Sequence, residues 1–331
     1  MEKILVTGGA GFIGSNFIRY LLTDQKVSDG IHITNLDKLT YAGRGKNIEY
    51  MGLYDNGGYE FIEGDICDAG LVRRIFETVN PNLVFNFAAE SHVDRSIEGG
   101  LAFVKTNVEG TANVLEASIR SGIDRFVQIS TDEVYGSIKE GSFSEESLLN
   151  PSSPYAASKA AAEHMVMAYF RTHGIPISIT RSANNYGQFQ FPEKLLPLFI
   201  TNFIQGKQVP LMWSEENPGL NIRDWLHVRD NCRAIWYVAR HGQIGEIYNI
   251  PGENERTNME ITKMILDVFG LGEDMINKVP HRKAHDFRYS IKGDKLRNLG
   301  FVYEHQDLNS EIQKVIDWYI KNKCWWEPLK K

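Results

Sequence analysis

The sequence predicts an α/β protein, a doubly wound parallel sheet with a smaller C-terminal lobe. Three observations predict it. Short β-branched or apolar runs alternate with amphipathic helical stretches through the first half, a glycine-rich turn follows the first of these runs, and the alternation stops after Asn184. Strands and helices alternating at this length build βαβ units, and hence a parallel sheet. With 331 residues the chain holds a large core divided over two lobes.

The predicted strands of the first half are 3–7, 31–37, 59–63, 83–88, 126–130 and 177–181, and the amphipathic stretches between them include 71–79, 101–121 and 155–173. Residues 185–223 are rich in Pro, Asn, Gln and aromatics, with one helical piece near 195–205. A helix at 229–240 and a strand at 247–250 return to the first lobe, and 252–331 carry two more helical patterns, 259–269 and 308–321. There is no internal repeat and no low-complexity tract.

Composition narrows the function classes. Hydrophobic residues are 42% and charged residues 24%, ordinary for a soluble enzyme. A net charge of −6 without Lys/Arg runs argues against nucleic acid as the primary partner. Cys67, Cys232 and Cys324 form no C-x-x-C pair, which fits packed thiols in a reducing compartment. No apolar run approaches the ~18 residues of a membrane span. The first residues enter a strand with no secretory core, so no membrane partner and a cytoplasmic location are expected.

Gly8-Gly9-Ala10-Gly11-Phe12-Ile13-Gly14 follows the first strand and opens a helix. Such glycines let the backbone turn tightly and approach a pyrophosphate at a helix N-terminus, the device of a Rossmann-type dinucleotide fold. Asp37 closes the second strand, 23 residues after Gly14. A carboxylate there accepts from ribose hydroxyls and repels a 2′-phosphate, which predicts NAD rather than NADP. Asp65 and Ile66 close the third strand near the expected adenine. Ligands of open parallel sheets bind beyond the carboxyl ends of the strands. Here those ends read Gly8–Gly11, Asp37, Asp65, Ala88-Ala89-Glu90-Ser91 and Ser130–Glu133. These elements predict an NAD-binding unit over 1–187 with about 224–251, and a substrate-binding unit over 188–223 and 252–331.

Tyr155 and Lys159 lie one helical turn apart and share a face. Free tyrosine titrates near about 10, and a neighbouring ammonium favours the phenolate, a base for a carbinol proton. A chance Y-x-x-x-K is common in helices; the glycine turn and the Ser130-Thr131 strand end favour the catalytic reading. Asp132 and Glu133 follow an apolar strand directly, with side chains pointing different ways from one segment. Two close carboxylates push their pKa values apart, giving one acid and one base. The alternative, an acidic loop facing water, fits the preceding apolar run poorly. The nine histidines form no H-E-x-x-H cluster, so no metal site is expected, and no G-x-S-x-G elbow is present.

With these residues the chain resembles the extended short-chain dehydrogenase/reductases. Within them, segments 36–43 (LDKLTYAG), 88–97 (AAESHVDRSI), 130–136 (STDEVYG) and 182–196 (SANNYGQFQFPEKLL) resemble the dTDP-glucose 4,6-dehydratase family, over residues 3 to about 320. The resemblance implies NAD as cofactor, lined by Gly8, Gly11, Phe12, Ile13, Gly14, Asp37, Lys38, Leu39, Thr40, Asp65, Ile66, Ala88, Ala89, Thr106, Tyr155, Lys159 and Asn185. It implies that Tyr155 deprotonates the glucose 4-hydroxyl held by Thr131 while C4 is oxidised, that Glu133 removes the C5 proton, and that Asp132 protonates the departing 6-hydroxyl. Hydride then returns to C6. Ser91, Thr131, Asn184, Lys194, Leu195, Arg223, Asn258, Arg282 and His285 are implied contacts to the nucleotide sugar. A homodimer and a place in deoxysugar synthesis for surface polysaccharide are implied as well. Three stretches depart from the family pattern: a longer 210–221 loop, His281-Arg282-Lys283-Ala284-His285 where Asp-Arg-Pro-Gly-His is usual, and a shortened 137–150.

Three other functions compete. A dehydratase acting on another nucleotide sugar would use the same residues, and the three departing stretches bear on that choice. A nucleotide-sugar 4-epimerase uses the same Tyr155 and NAD but needs no second acid/base pair, so Asp132-Glu133 separates it from a dehydratase. A non-catalytic NAD-binding module has no use for Tyr155 and Lys159.

Overall fold

The structure is a computed structural model that describes residues 1–25, 27–283 and 285–330. Twelve strands are found among them: β1 (Glu2–Thr7), β2 (Ile31–Asp37), β3 (Tyr59–Glu63), β4 (Leu83–Asn86), β5 (Arg125–Thr131), β6 (Ile177–Ser182), β7 (Asn184–Tyr186), β8 (Val209–Met212), β9 (Ile222–His227), β10 (Glu246–Ile250), β11 (Glu255–Thr257) and β12 (Ile276–Val279). Seven of them form one sheet in the order β10-β6-β5-β4-β1-β2-β3, parallel at every pairing. The order reverses direction at β1, which puts a crevice beyond its carboxyl end. A three-stranded sheet, β11-β9-β7, and a pair, β12-β8, stand apart from it.

The first helices are α1 (Phe12–Thr23), α2 (Gly45–Tyr50), α3 (Ala69–Val79), α4 (Val93–Glu98), α5 (Leu101–Phe103) and α6 (Thr111–Ser121), followed by α7 (Pro154–His173), α8 (Leu195–Ile204) and α9 (Val228–His241). Parallel strands covered on both faces are apolar on both, and here the two faces separate by residue parity. Leu5, Val84, Phe126 and Ile177 pack under Val72, Ile75, Val114 and Val166 of α3, α6 and α7. Ile4, Val6, Phe85 and Val127 pack under Phe17, Ile18, Ile235 and Val238 of α1 and α9. A second core gathers Leu196, Phe199 and Ile200 of α8 with Trp225 of β9. It also takes in residues of α10 (Asn258–Phe269), and, beyond the short α11 (Asp294–Asn298), of α12 (Leu308–Lys321) and α13 (Lys323–Trp326).

Strands 31–37 and 59–63 stand where the sequence puts them. β4 stops at Asn86, two residues early, because the Phe87 N–H turns to the Thr7 carbonyl and the Ala88 N–H to the Thr7 hydroxyl. The helix expected over 101–121 is interrupted by a π-helical turn, Val104–Gly110. The strands β7, β8, β9, β11 and β12 were not expected. They are three to six residues long, and β7 and β11 read Asn-Asn-Tyr and Glu-Arg-Thr, with no period-two pattern to find. The 210–221 loop begins inside β8 and closes on itself through Asn217, which accepts from Leu220 N and donates to Asn221.

Candidate active site

One cavity lies beyond the carboxyl ends of β1, β2, β3, β4 and β5. It is lined by Gly8, Gly11, Phe12, Ile13, Gly14, Asp37, Lys38, Thr40, Asp65, Ile66, Ala88, Ala89, Thr106 and Asn185, together with Thr131, Asp132, Glu133, Tyr155 and Lys159. Of the residues expected at the cofactor only Leu39 does not line it. Its backbone, at φ 53°, instead turns so that its N–H reaches Asp37.

The glycine turn is packed too tightly for side chains. A Cβ on Gly8, which sits at φ +72°, would meet Ala88 N at 2.5 Å, and one on Gly14 would meet the Gly8 carbonyl at 2.4 Å. Gly11 caps α1 without a side chain, so the orphan N–H groups of the first turn face the cavity that Gly11 to Gly14 line. Asp37 braces the turn: Oδ2 accepts from Ala10 N at 2.9 Å and Oδ1 from Leu39 N at 2.8 Å. The Ala10 carbonyl accepts from Asn47 Nδ2 at 2.8 Å, and Asn47 Oδ1 accepts from the Trp325 indole at 3.0 Å. Each Asp37 oxygen keeps a further lone pair for a hydroxyl. Tight glycines at a helix N-terminus with a carboxylate on the next strand fit a dinucleotide with free ribose hydroxyls, as NAD has. Asp37→Asn should weaken NAD binding on the order of tenfold, roughly 1.5 kcal/mol for a hydrogen bond to a charged group. It should also narrow the gap between NAD and NADP, which titration with both cofactors measures; an unchanged NAD affinity would show that Asp37 only braces the turn.

The chemistry end is built by β5 and α7. Ser153 caps α7 by accepting from Ala156 N, and Pro154 opens its first turn, which fixes where Tyr155 and Lys159 emerge. β5 ends in Thr131, whose hydroxyl accepts from Glu133 N and lies 3.3 Å from Asp132 Oδ1, at the head of the short turn Asp132–Tyr135. Burial pushes the Asp132 carboxyl well up, and Glu133 and Asp224 push it further. Burial also raises Glu133, but Lys194, Arg223 and Arg282 oppose the rise. Both carboxyls are therefore raised, Asp132 strongly although Arg223 and the Thr131 hydroxyl oppose it, which suits a pair that shares acid and base work.

Tyr155 differs from expectation. Burial, Glu133 and Asp132 hold its phenol protonated, and a hydrogen bond to Thr131 is the opposing influence. The Lys159 ammonium does not overcome this. Burial lowers its ammonium to about 8, and its Nζ donates to the Ile129 carbonyl at 2.6 Å. Two carboxyl groups in a dry pocket outweigh one ammonium already engaged elsewhere.

Of the expected substrate contacts, Ser91, Asn184 and Lys194 line the cavity, with Lys194 Nζ 3.4 Å from the Ser91 carbonyl. Leu195, Arg223, Asn258, Arg282 and His285 do not. Leu195 opens α8, one residue beyond the lining. Arg223 is buried, stacked 4.4 Å over Tyr289 and donating to the carbonyl of Asp286 at 2.9 Å. Arg282 pairs with Asp94 at 3.1 Å, and His285 meets His281 at 3.0 Å. Asn258 heads α10 with a buried, unpartnered Oδ1. Arg223 and Arg282 still act on Glu133 electrostatically. Within the departing run 281–285, Ala284 lies outside the described residues.

The cavity also takes in Gly43, Gln190, Phe191 and Glu193, which sequence reasoning missed, and Glu90, which it placed at a strand end without a role. Each lies within a few residues of one that was chosen, and no spacing rule sets it apart. Several lining atoms are buried without a partner: Ser130 Oγ, Asp132 Oδ2, Asn184 Oδ1, Asn185 Oδ1 and Gln190 Oε1. Buried polar atoms are rarely left unpaired, so these await ligand groups. Away from the cavity, His227, His305 and Glu311 are the one group among the described residues close enough to hold a metal. His227 Nδ1 already accepts from Arg229 N, however, and the Lys314 ammonium sits 2.8 Å from Glu311.

Residues 5–319 match the family model described as GDP-mannose 4,6 dehydratase. The chain is 48% identical over 330 residues to a dTDP-glucose 4,6-dehydratase of Streptomyces niveus, covering 99% of this chain and 96% of that protein. It superposes with a TM-score of 0.94 on the dTDP-glucose 4,6-dehydratase DesIV of Streptomyces venezuelae, solved with NAD and TYD bound; identity is 45%, covering 99% of this chain and 100% of the other. A UDP-glucose 4-epimerase of Thermotoga maritima superposes at 0.87 with 27% identity, covering 97% and 99%.

Proposed function

Because the chain belongs to the dTDP-glucose 4,6-dehydratase family, we infer that its cavity converts dTDP-glucose to dTDP-4-keto-6-deoxyglucose with NAD, as a lyase. NAD, held by the 8–14 turn and Asp37, would supply the hydride acceptor for C4 and the donor for C6, and would bring a positive charge that favours ionisation of Tyr155. Every other role falls to side chains. Tyr155, joined to Thr131, takes the 4-hydroxyl proton as C4 is oxidised. The new 4-ketone acidifies the C5 proton, which Glu133 removes. Asp132 protonates the 6-hydroxyl, and water departs. A proton then returns to C5 as C6 is reduced, which restores the cofactor.

The observation that carries this reading is that one cavity holds two adjacent carboxyls, Asp132 and Glu133, together with Thr131, Tyr155 and Lys159. An epimerase shares the fold but leaves that carboxyl pair without a task. The test is turnover of dTDP-glucose in deuterated water, read by mass. Loss of one water with deuterium at C5 is expected; a product of unchanged composition would overturn the reading.

The same groups set the pH dependence. Glu133 must be ionised and sits above its ordinary 4.5, so activity falls on the acid side at a pH above that value. Lys159 loses its proton as pH rises through about 8, which removes a cation beside Tyr155, and Asp132 must keep its own proton. Turnover should therefore be bell-shaped, with its alkaline limb near pH 8. A profile still rising well above that pH would remove Lys159 from the scheme.

The reading extends further as proposals. An NAD-binding unit over 1–187 with about 224–251 and a nucleotide-sugar unit over 188–223 and 252–331 have support in their main cores, although Ile291, Leu296 and Phe301 pack into the core of the first and Tyr186 and Trp225 into that of the second. Leu101, 85% exposed, and Val104 support a homodimer through the segment ahead of α6, which sedimentation velocity reads directly. Among the described residues no helix is long and apolar enough to cross a membrane, which is compatible with cytoplasmic synthesis of a 6-deoxysugar such as rhamnose.

A further inference from the structure

We propose that Arg181 and Glu163 are positioning residues that fix the two proton-transfer devices of the cavity against each other. Glu163 acts through α7, which carries Tyr155 and Lys159, and Arg181 through Tyr135, which ends the turn carrying Asp132 and Glu133. The proposal rests on the function inferred above. Neither residue lines the cavity, and both are almost completely buried, at 3% and 2% exposure. Arg181 Nε lies 3.1 and 3.0 Å from the two Glu163 oxygens, and a terminal nitrogen lies 2.5 Å from one of them. Its other terminal nitrogen donates to the Tyr135 hydroxyl at 2.6 Å, and that hydroxyl donates to Asn249 Oδ1 at 2.9 Å. The guanidinium also lies over the Tyr135 ring, 4.6 Å from its centre.

One rigid fork on β6 thus grips the helix on one side and the turn on the other. Burying an ion pair gains little stability over an apolar pair of the same size, so its use lies in the geometry it imposes. Glu163 stands one helical turn beyond Lys159 and is the anion that opposes the effect of burial on that ammonium. Tyr135 stands two residues beyond Glu133. A shift at either grip changes where the C5 base stands relative to the C4 base, and misplacements of about 1 Å cost catalysis heavily.

Two variants test this. Tyr135→Phe removes one hydroxyl and keeps the ring stacked 5.1 Å from Phe143. With dTDP-glucose, C4 oxidation should keep close to its normal rate while release of dehydrated product slows roughly tenfold. Absorbance of the reduced nicotinamide would then build up during turnover, with affinities for NAD and dTDP measured by calorimetry unchanged. Glu163→Gln keeps the shape and removes the charge. Lys159 is faced by Glu163 on its own helix, by Tyr155 one turn back with Asp132 and Glu133 beyond it, and by the neutral Ile129 carbonyl from β5, while Arg181 of β6 holds Glu163 from behind. Loss of the Glu163 charge should move the alkaline limb of C4 oxidation to lower pH. If Tyr135→Phe turns over with no build-up of reduced cofactor, or if both variants lose activity only in proportion to lost folded protein with no shift in pH profile, the proposal is overturned. If Glu163→Gln does not fold, Tyr135→Phe alone decides. A wild-type protein that forms no dehydrated product would overturn the inferred function instead.

Discussion

Glu133→Gln should yield a protein that oxidises its substrate once and then stalls. Tyr155, Thr131 and the glycine turn are untouched, so the 4-ketone forms and the cofactor stays reduced. The amide cannot remove the C5 proton, and it also deprives Asp132 of the anion that helps hold its proton. Loss of a positioned general base costs about 10²–10⁴-fold. A spectrum of the mixed protein and substrate should show reduced nicotinamide at about one equivalent, with almost no dehydrated product by mass. Full turnover would dismiss Glu133 as the base and pass the elimination to Asp132 or to water.

Tyr155→Phe should fail one step earlier, and the two failures are distinguishable. Without the phenol nothing beside Thr131 takes the 4-hydroxyl proton, so neither reduced cofactor nor product accumulates. The loss should again be about 10²–10⁴-fold, while nucleotide binding persists because the ring remains. The wild-type phenol is held protonated by burial and by two carboxyl groups, so its ionisation depends on charge brought in with the ligands. A variant that still reduced the cofactor at a near-normal rate would transfer the proton to Thr131 or solvent.

How much of this was legible in the sequence follows from which forces were local. β2 and β3 were legible to the residue, since β-branched or aromatic residues recur in each run and Gly, Asn and Asp bound it. The glycine turn was legible because only glycine tolerates the approach of Ala88 and Gly8 that the turn demands. The π-helical turn at 104–110 left no trace, because its composition is that of an ordinary helix. It nevertheless carries Thr106 into the cavity and sets Asn107 to bond Glu90 and Ser158. Asp132 and Glu133 were legible as an adjacent pair at a strand end. The cations that oppose the rise of Glu133, Lys194, Arg223 and Arg282, come from segments 60 to 150 residues away and were not. Lys159 shows the opposite case: spacing placed it beside Tyr155, but the carbonyl of Ile129, on another element, claimed its ammonium.

The link from Trp325 through Asn47 to the Ala10 carbonyl has a consequence in time. The glycine turn leaves the ribosome well before this brace of it, which is made roughly 280 residues later. At synthesis rates of about 5–20 residues per second, that is a wait on the order of tens of seconds. During that interval the sheet strands emerge one by one around a dinucleotide turn whose outer support does not yet exist. Full support of the glycine turn therefore waits until Trp325 has docked.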